Sequence, residues 1–331
     1  MDVTVRAATK EDVPALVALF TSQNEFEGRW FENPFAGGKE AKAEALTPAQ
    51  RWLHGGPGMD PQLLQLHHDR IYDAHGVVLV AERGGAVTGT AELWTSEEPL
   101  PLGAYLAVVT LASTRAAARD VEPALLAAAA RESRGRDLRA LDIAPAHAGG
   151  DVARILAEGF TVLVEHRTVH LEAARKPDPP EYTVVSTAPS YTELREFVAL
   201  DHTEPPGFRI GNLANEWSAG LLADVSKPFG ALLRIDFATL GITGRVATWL
   251  PEREAELDLW VPAAALGNLP WLRRGVAAAI DHIGKRHRVV RFRTTVRAHQ
   301  VPALQPIGFE DGDDPDPWLR KHLTRAAGRN L

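Results

Sequence analysis

The sequence has no cysteine among its 331 residues and has only two methionines. Without thiols the chain cannot form disulfides, use a thiolate nucleophile or hold zinc through cysteine ligands. Disulfide-stapled secreted scaffolds and thiol-dependent enzymes are therefore excluded as classes. The absence also fits a reducing compartment.

Long apolar runs and an excess of positive charge are missing as well. No segment approaches the roughly 18 consecutive apolar residues of a membrane span. The formal net charge is −7, from 36 basic and 43 acidic side chains. The opening MDVTVRAATKEDVPALVALF has an acid second and lacks the basic region and long apolar block of a secretory signal. We expect a cytoplasmic protein with neither a membrane nor a nucleic acid as its main partner.

What is present is an alternation of strand and helix patterns, on a chain long enough for two domains. The stretch VVLVAERGGAVTGTAELWT has two apolar runs separated by Arg83, Gly84 and Gly85, and these glycines suit the positive φ angles of a tight hairpin. The hairpin is followed by a buried strand AYLAVVTL, a helix from Val121 to Arg134, a strand LRALDIA, a short helix DVARILAEGF and a strand HRTVHLE.

The same order recurs after a Pro-rich, charged stretch. A shift of 149 residues places AVVTL on ELDLW, the helix near Val121 on that near Pro270, and Gly159-Phe160 on Gly308-Phe309. One constant shift aligning these features indicates an internal duplication. We predict an N-terminal domain over residues 1–174, a stiff linker over 175–182 and a C-terminal domain over 183–331.

Each half resembles the GCN5-related N-acetyltransferase family. The resemblance rests on the opening RAATKEDVPAL, the hairpin, the strand-helix-strand-helix order and the Gly-Phe that ends it. It covers nearly the whole chain and implies an α/β fold of two tandem domains. Each would be a mixed, mostly antiparallel sheet with a splayed central strand pair, flanked by helices. The implied substrate is acetyl-CoA or another acyl-CoA.

In that family the diphosphate of the acyl-CoA lies on the N-terminus of the central helix, where glycines allow close approach. In the first half the two glycine positions hold Asp120 and Glu122. We interpret these acids as structural, with Asp120 capping the helix and Glu122 matching its dipole. Arg115 and Arg119 could attract the phosphates, but beside two acids they leave no net positive field.

The equivalent loop of the second half, VPAAALGNLPWLRRG, has no acid. It offers Gly267, Asn268 as a helix cap, and Arg273 and Arg274 as phosphate ligands. We therefore expect the second half to be slightly the better anion site. His299 lies where relatives often carry an asparagine that contacts the cofactor, and a helix-capping role is equally compatible with its position.

The resemblance also implies backbone contacts to the pantetheine arm along the fourth strand of a half. The candidate positions are Val109 and Leu111 in the first half and Leu259 and Val261 in the second. The family's tyrosine acid is replaced by Ile155 and Leu304.

A base that deprotonates the acceptor amine has three carboxylate candidates. Glu92 lies near the end of the third strand, and Glu256 and Asp258 alternate with Glu254 along one face of a later strand. If that face lines the cleft, mutual repulsion would raise at least one pKa into the range of a useful base. The alternative is that this acidic stretch begins in a solvated turn and its carboxylates face water.

Three further sets of residues have ordinary structural interpretations. His67, His68 and His75 lack a tight ligand spacing, so we expect a solvated helix surface and no metal site. His166 and His170 share one face of a closing strand, which favours cross-strand packing. Trp249, Trp260 and Trp271 are expected in the core.

Three functions are compatible with these patterns. The first is an acyltransferase that moves an acyl group, acetyl in the simplest case, from acyl-CoA to the amine of a small molecule. The second is a pair of degenerate domains that bind or scaffold without using acetyl-CoA. The third, transfer from an aminoacyl-tRNA, is disfavoured by the negative charge and the lack of a basic cluster. We expect the first, since acyl-CoA binding in this family rests largely on backbone groups.

Overall fold

The computed structural model describes residues 2–23, 26, 28–98, 102–187, 189–200, 204–211, 220–250, 253–312 and 315–324. A sheet of fourteen strands runs through the described chain. The strands are β1 (Val3–Ala7), β2 (Val77–Arg83), β3 (Ala86–Glu98), β4 (Gly103–Ser113), β5 (Ala140–Ile143), β6 (Thr161–Glu172), β7 (Thr183–Ser186), β8 (Phe197–Ala199), β9 (Ser226–Ile235), β10 (Ala238–Ala247), β11 (Glu254–Pro262), β12 (Arg291–Arg297), β13 (Glu310–Asp311) and β14 (Asp316–His322).

Ten α-helices connect or flank these strands in the described residues. They are α1 (Val13–Thr21), α2 (Pro48–Trp52), α3 (Pro61–Asp73), α4 (Ala118–Gly135), α5 (Pro145–Ala148), α6 (Val152–Ala157), α7 (Tyr191–Leu194), α8 (residues 206–211), α9 (Leu269–Gly284) and α10 (Val301–Leu304). None of the described helices is both long enough and apolar enough to cross a membrane.

The predicted hairpin is confirmed. β2 and β3 pair antiparallel, and Gly84 and Gly85 at the turn have φ angles of 62° and 81°. Both angles lie in the left-handed region that glycine enters without the steric cost of a Cβ. The turn places β3 beside β4, the strand that borders the site described below.

The helix predicted from Val121 begins earlier, at Ala118. Its N-cap is Ala117, which forms no side-chain cap, so the prediction that Asp120 caps this helix is wrong. Asp120 lies inside the first turn instead. The backbone N–H groups of Ala117 and Ala118 both donate to the carbonyl oxygen of Thr114, and this turn starts the helix without an acidic cap.

The internal duplication is visible as two parallel strand-helix-strand units. β4 and β11 end at Ser113 and Pro262, and α4 and α9 end at Gly135 and Gly284, all at the predicted spacing. Gly159 and Gly308 also correspond, with φ angles of 85° and 97°. In each unit the two strands pair parallel, as a crossover through a helix requires.

The two halves exchange their last strands. β14, from the second half, lies between β5 and β6 of the first half and pairs antiparallel with both. β6 in turn pairs with β12 of the second half. β6 was predicted as a closing strand, but it lies in the middle of the sheet because each half completes the sheet of the other.

A buried ion pair spans this exchange. Asp142 on β5 accepts hydrogen bonds from Nε and Nη2 of Arg320 on β14, at 2.8 and 2.7 Å, and from the indole N–H of Trp318 at 2.8 Å. The remaining Arg320 terminal nitrogen donates to the carbonyl oxygen of Leu102 at 2.9 Å. Both charged side chains are buried. The contacts tie the second half's last strand to the first half's fifth strand.

Helices cover both faces of the first half's sheet. Alternate residues of β2 show this, since Leu79 and Ala81 pack with α4 while Val80 packs with α1 and α3. In the second half α9 packs against β9 to β12. Trp260 and Trp271 are buried as predicted, whereas Trp249 is only half-buried.

Candidate active site

The two central strands of the first half separate along their length. β4 pairs with β5 only from Leu106 to Val108, opposite Leu141 to Ile143, although β4 continues to Ser113. Among the described strands, none pairs with the rest of β4 on that side. The backbone at the candidate positions Val109 and Leu111 therefore borders an open wedge.

The corresponding wedge of the second half is filled by the chain itself. β11 pairs with β12 from Glu254 to Leu257, and beyond that point β8 pairs antiparallel with β11. Val261 lies opposite Val198, and the N–H of Leu200 donates to the carbonyl oxygen of Leu259 at 2.9 Å. The backbone of the two second-half candidates is thus engaged by β8, which argues against the expectation that this half is the better site.

A cavity of about 520 Å³ opens beside the first-half wedge and is bounded by both halves. Six of the residues singled out from the sequence line it: His67, Glu92, Val109, Leu111, Glu256 and Asp258. The cavity therefore brings together all three carboxylates proposed as bases, from β3 and from β11.

Glu92 is almost completely buried and is held by three side chains. Its oxygens accept from Nε2 of His67 at 2.8 Å, from Nε2 of His68 at 3.1 Å and from the hydroxyl of Thr110 at 2.5 Å. Burial alone would raise the pKa of Glu92, but the charges and hydrogen bonds of the two histidines outweigh it and hold that pKa well below its usual range. Glu92 is therefore a carboxylate at neutral pH.

The prediction that His67 and His68 lie on a solvated surface is wrong. Both are buried on α3, whose N-terminus is capped by Asp60. They extend the buried stripe formed by Leu63, Leu64 and Ile71, and this helical spacing could have identified them as inward-facing. Within the described ranges, no group of three or more His, Asp or Glu side chains is arranged so that it could hold a metal ion.

The opposite wall of the cavity is a network of ion pairs. Arg209 on α8 contacts Oδ1 of Asp258 at 2.6 Å and Oε1 of Glu256 at 3.2 Å, and Arg245 donates to Oε2 of Glu256 at 2.8 Å. Burial would raise the pKa of Glu256, but Arg245 and then Arg209 and Arg293 outweigh burial and hold it far below the usual value. The expected rise through mutual repulsion is therefore wrong for Glu256, because the arginines supply the opposite charge.

The acids at the start of α4 are also paired. Glu122 is buried, accepts from the Ser113 hydroxyl at 2.9 Å and lies 3.1 Å from Nε of Arg154. Asp120 is exposed and lies 3.5 Å from Nη1 of Arg83. Two further arginines, Arg115 and Arg119, are exposed here and form no ion pair with any described residue. Arg83 and Arg154 therefore match the two carboxylates, and Arg115 and Arg119 add two further positive charges. This differs from the expectation that the start of α4 has no net positive field.

The start of α9 differs. Asn268 caps this helix as predicted, with its side chain accepting from the N–H of Trp271 at 3.1 Å, and open space surrounds Gly267. Arg273 donates to the carbonyl oxygen of Ala303 at 3.1 Å, and Arg274 pairs with Asp236 at 2.8 Å. His299 is exposed, and Gln300 beside it bonds the backbone of Arg297. None of these candidates lines the cavity.

Comparison with known proteins identifies the fold. No family model and no curated protein sequence matches the chain. Among solved structures, it is similar to a GCN5-related N-acetyltransferase from Anabaena variabilis ATCC 29413, with a TM-score of 0.59, 9% identity, and coverage of 98% of this chain and 73% of that one.

Two more solved structures agree with this similarity. A conserved protein of unknown function from Enterococcus faecalis V583 has a TM-score of 0.57 and 10% identity, with coverage of 98% and 73%. A GCN5-related N-acetyltransferase from Kribbella flavida has a TM-score of 0.52 and 11% identity, with coverage of 97% and 72%. The chain therefore has the tandem GCN5-related N-acetyltransferase fold across both halves.

Proposed function

We propose that the protein transfers an acyl group from acyl-CoA to the amine of a small molecule, and that the first half holds the acyl donor. One observation carries this proposal: the open wedge beside β4 adjoins a cavity containing a buried carboxylate bound by two imidazoles. The second half contributes the other wall of the cavity and has its own wedge filled by β8.

The acyl donor fits the first half in two respects. The backbone of Val109 and Leu111 is available to the pantetheine arm, whose amides need hydrogen-bond partners of this kind. Arg115 and Arg119 stand at the start of α4, where the helix dipole also favours an anion. Because Asp120 and Glu122 are paired with other arginines, their charges do not cancel this attraction.

The chemistry requires a group that takes a proton from the acceptor ammonium. The Glu92 carboxylate is too weak a base to act alone, since its pKa is held low. His67 also lines the cavity and bonds Glu92. In its neutral form the imidazole takes the proton, while the carboxylate orients it and stabilises the imidazolium that results. We assign proton removal to the His67–Glu92 pair.

The remaining steps follow from this assignment. The neutral amine attacks the thioester carbonyl, and the nitrogen loses a second proton as the carbon–sulfur bond breaks. Of the two protons that leave the nitrogen, one goes to the departing thiolate and the other to solvent. Glu256 and Asp258 hold Arg209 and Arg245 in the acceptor wall, which is a positioning role rather than that of a base.

Calorimetric titration with acetyl-CoA tests the donor site. Arg115→Ala/Arg119→Ala should weaken binding by about tenfold or more because two cations next to the diphosphate are lost. The matched control is Arg273→Ala/Arg274→Ala at the start of α9, which should bind like the wild type. Loss of binding in the control alone would move the donor to the second half.

Thiol release in steady-state assays tests the chemistry. Glu92→Gln and His67→Gln should each lower kcat by about 100-fold or more, the usual contribution of general base catalysis. Glu254→Gln, on β11 but outside the cavity lining, is the control. If no amine is acylated and acetyl-CoA does not bind at millimolar concentration, a binding or scaffolding role replaces this proposal.

A further inference from the structure

One face of β12 carries cations that the proposed chemistry does not use. Phe292 and Val296 point into the second-half core against α9. The alternate positions, including Arg293 and Arg297, therefore face the opposite side of the sheet, where Arg293 lines the cavity. Arg293 and Arg297, four residues apart, thus share one side of β12, and Arg293 is the one that lines the cavity.

Arg297 has an unusual environment. It is 7% exposed, and its Nε and Nη2 atoms have no hydrogen-bond partner among the described residues. Burial lowers the pKa of this guanidinium, and Glu98 is the carboxylate that partly opposes that effect. Buried guanidinium nitrogens without a hydrogen-bond partner cost stability and are rare in folded proteins unless a ligand or a water molecule supplies the partner.

Arg293 is the second cation on this side of β12, and its charge contributes to the low pKa of Glu256. It is half-buried and forms no ion pair with a described carboxylate, because Glu256 and Asp258 are bound by Arg209 and Arg245. Glu204 is the remaining carboxylate of this cavity wall. The neighbouring strand adds imidazoles, with His170 opposite Arg293 and His166 opposite Arg297.

We propose that Arg293 and Arg297 form an anion-binding end of the acceptor site, so that the acceptor amine also carries a carboxylate or a phosphate. The amine would reach the His67–Glu92 pair on the first-half wall while the anionic group binds β12 on the second-half wall. The amine part of this inference rests on the proposed function, whereas the anion site does not.

Thermal unfolding with inorganic phosphate tests the anion site directly. The measurements use the Arg115→Ala/Arg119→Ala protein, so that the start of α4 does not contribute, with sodium chloride at matched ionic strength as reference. Phosphate should raise the unfolding midpoint, because a ligand that binds only the folded state stabilises it. Adding Arg293→Gln or Arg297→Met should abolish this rise, while Arg288→Gln, at an exposed arginine before β12, should keep it.

Arg297→Met separates a binding role from a structural one. Replacing an unpaired buried charge with an apolar side chain of similar length should raise the midpoint in phosphate-free buffer. A phosphate-induced rise that persists in both Arg293→Gln and Arg297→Met would overturn the proposal.

Acylation kinetics identify the anionic group and keep the two proposals distinguishable. Phenylalanine is compared with 2-phenylethylamine, and O-phosphoethanolamine with ethanolamine, each with acetyl-CoA. Arg293→Gln should lower kcat/KM for the anionic member of one pair by about tenfold or more and change that of the neutral member by less than about twofold. Equal losses for both members would overturn the inference and leave the acyltransferase standing. A phosphate effect without turnover of any amine would leave the anion site and refute the transferase.

Discussion

The buried Asp142–Arg320 pair makes a quantitative prediction about how the two halves are joined. Asp142 is completely buried and accepts three hydrogen bonds, two of them from Arg320 across the exchanged strand. Asp142→Asn removes the charge and cannot accept both guanidinium bonds in the same geometry. The Arg320 cation is then left buried without a counter-charge, and we expect a loss of about 3–5 kcal/mol in the free energy of unfolding.

The destabilisation caused by the reciprocal variant, Arg320→Met, should depend on pH. Arg320→Met leaves Asp142 as an unpaired buried carboxylate, and burial already raises the pKa of this group. A raised pKa means that the folded state binds the proton more tightly than the unfolded chain, so acid stabilises the folded form. The penalty of Arg320→Met should therefore shrink as the pH falls, whereas that of Asp142→Asn should not.

Urea unfolding followed by circular dichroism measures these effects, and the double variant Asp142→Leu/Arg320→Met supplies the control. Replacing both charges with apolar side chains should be roughly neutral, within about 1–2 kcal/mol of the wild type. A single-variant loss below about 1 kcal/mol would refute the reasoning, as would a double-variant loss equal to the sum of the two single losses.

Two further predictions concern backbone space and pH. Gly244→Ala should destabilise the protein by about 3 kcal/mol or more, because φ is +151° and a Cβ would lie 1.9 Å from the Glu256 carbonyl oxygen. The control Gly267→Ala, at a position with open space around it, should change stability by less than about 0.5 kcal/mol. Equal effects of the two variants in chemical denaturation would contradict this prediction. Burial, followed by the charge of Arg286, lowers the pKa of His282 to about 4, so its neutral form is favoured in the folded state and its contribution is lost as the pH falls from 6.5 towards 4. The wild type should therefore lose about 2 kcal/mol more than His282→Gln between pH 7 and pH 5, and parallel stability curves would rule this out.

The amino-acid sequence alone determined much of the architecture. The Gly84-Gly85 hairpin follows from local φ preferences, and the repeat of 149 residues follows from patterns that both halves retain. Asn268 capped its helix as predicted because capping is a contact between residues three apart. Such features are local, so neighbouring residues suffice to specify them.

Tertiary structure decided which wedge is open and which carboxylates are matched. β8 fills the wedge of the second half, and no pattern within β11 predicts that β8 pairs with it. Asp120 and Glu122 are compensated by Arg83 and Arg154, which are distant in sequence. The net charge of a site depends on all charged side chains that the fold brings close to it. The sequence therefore identified the acids at the start of α4 but could not predict which arginines pair with them.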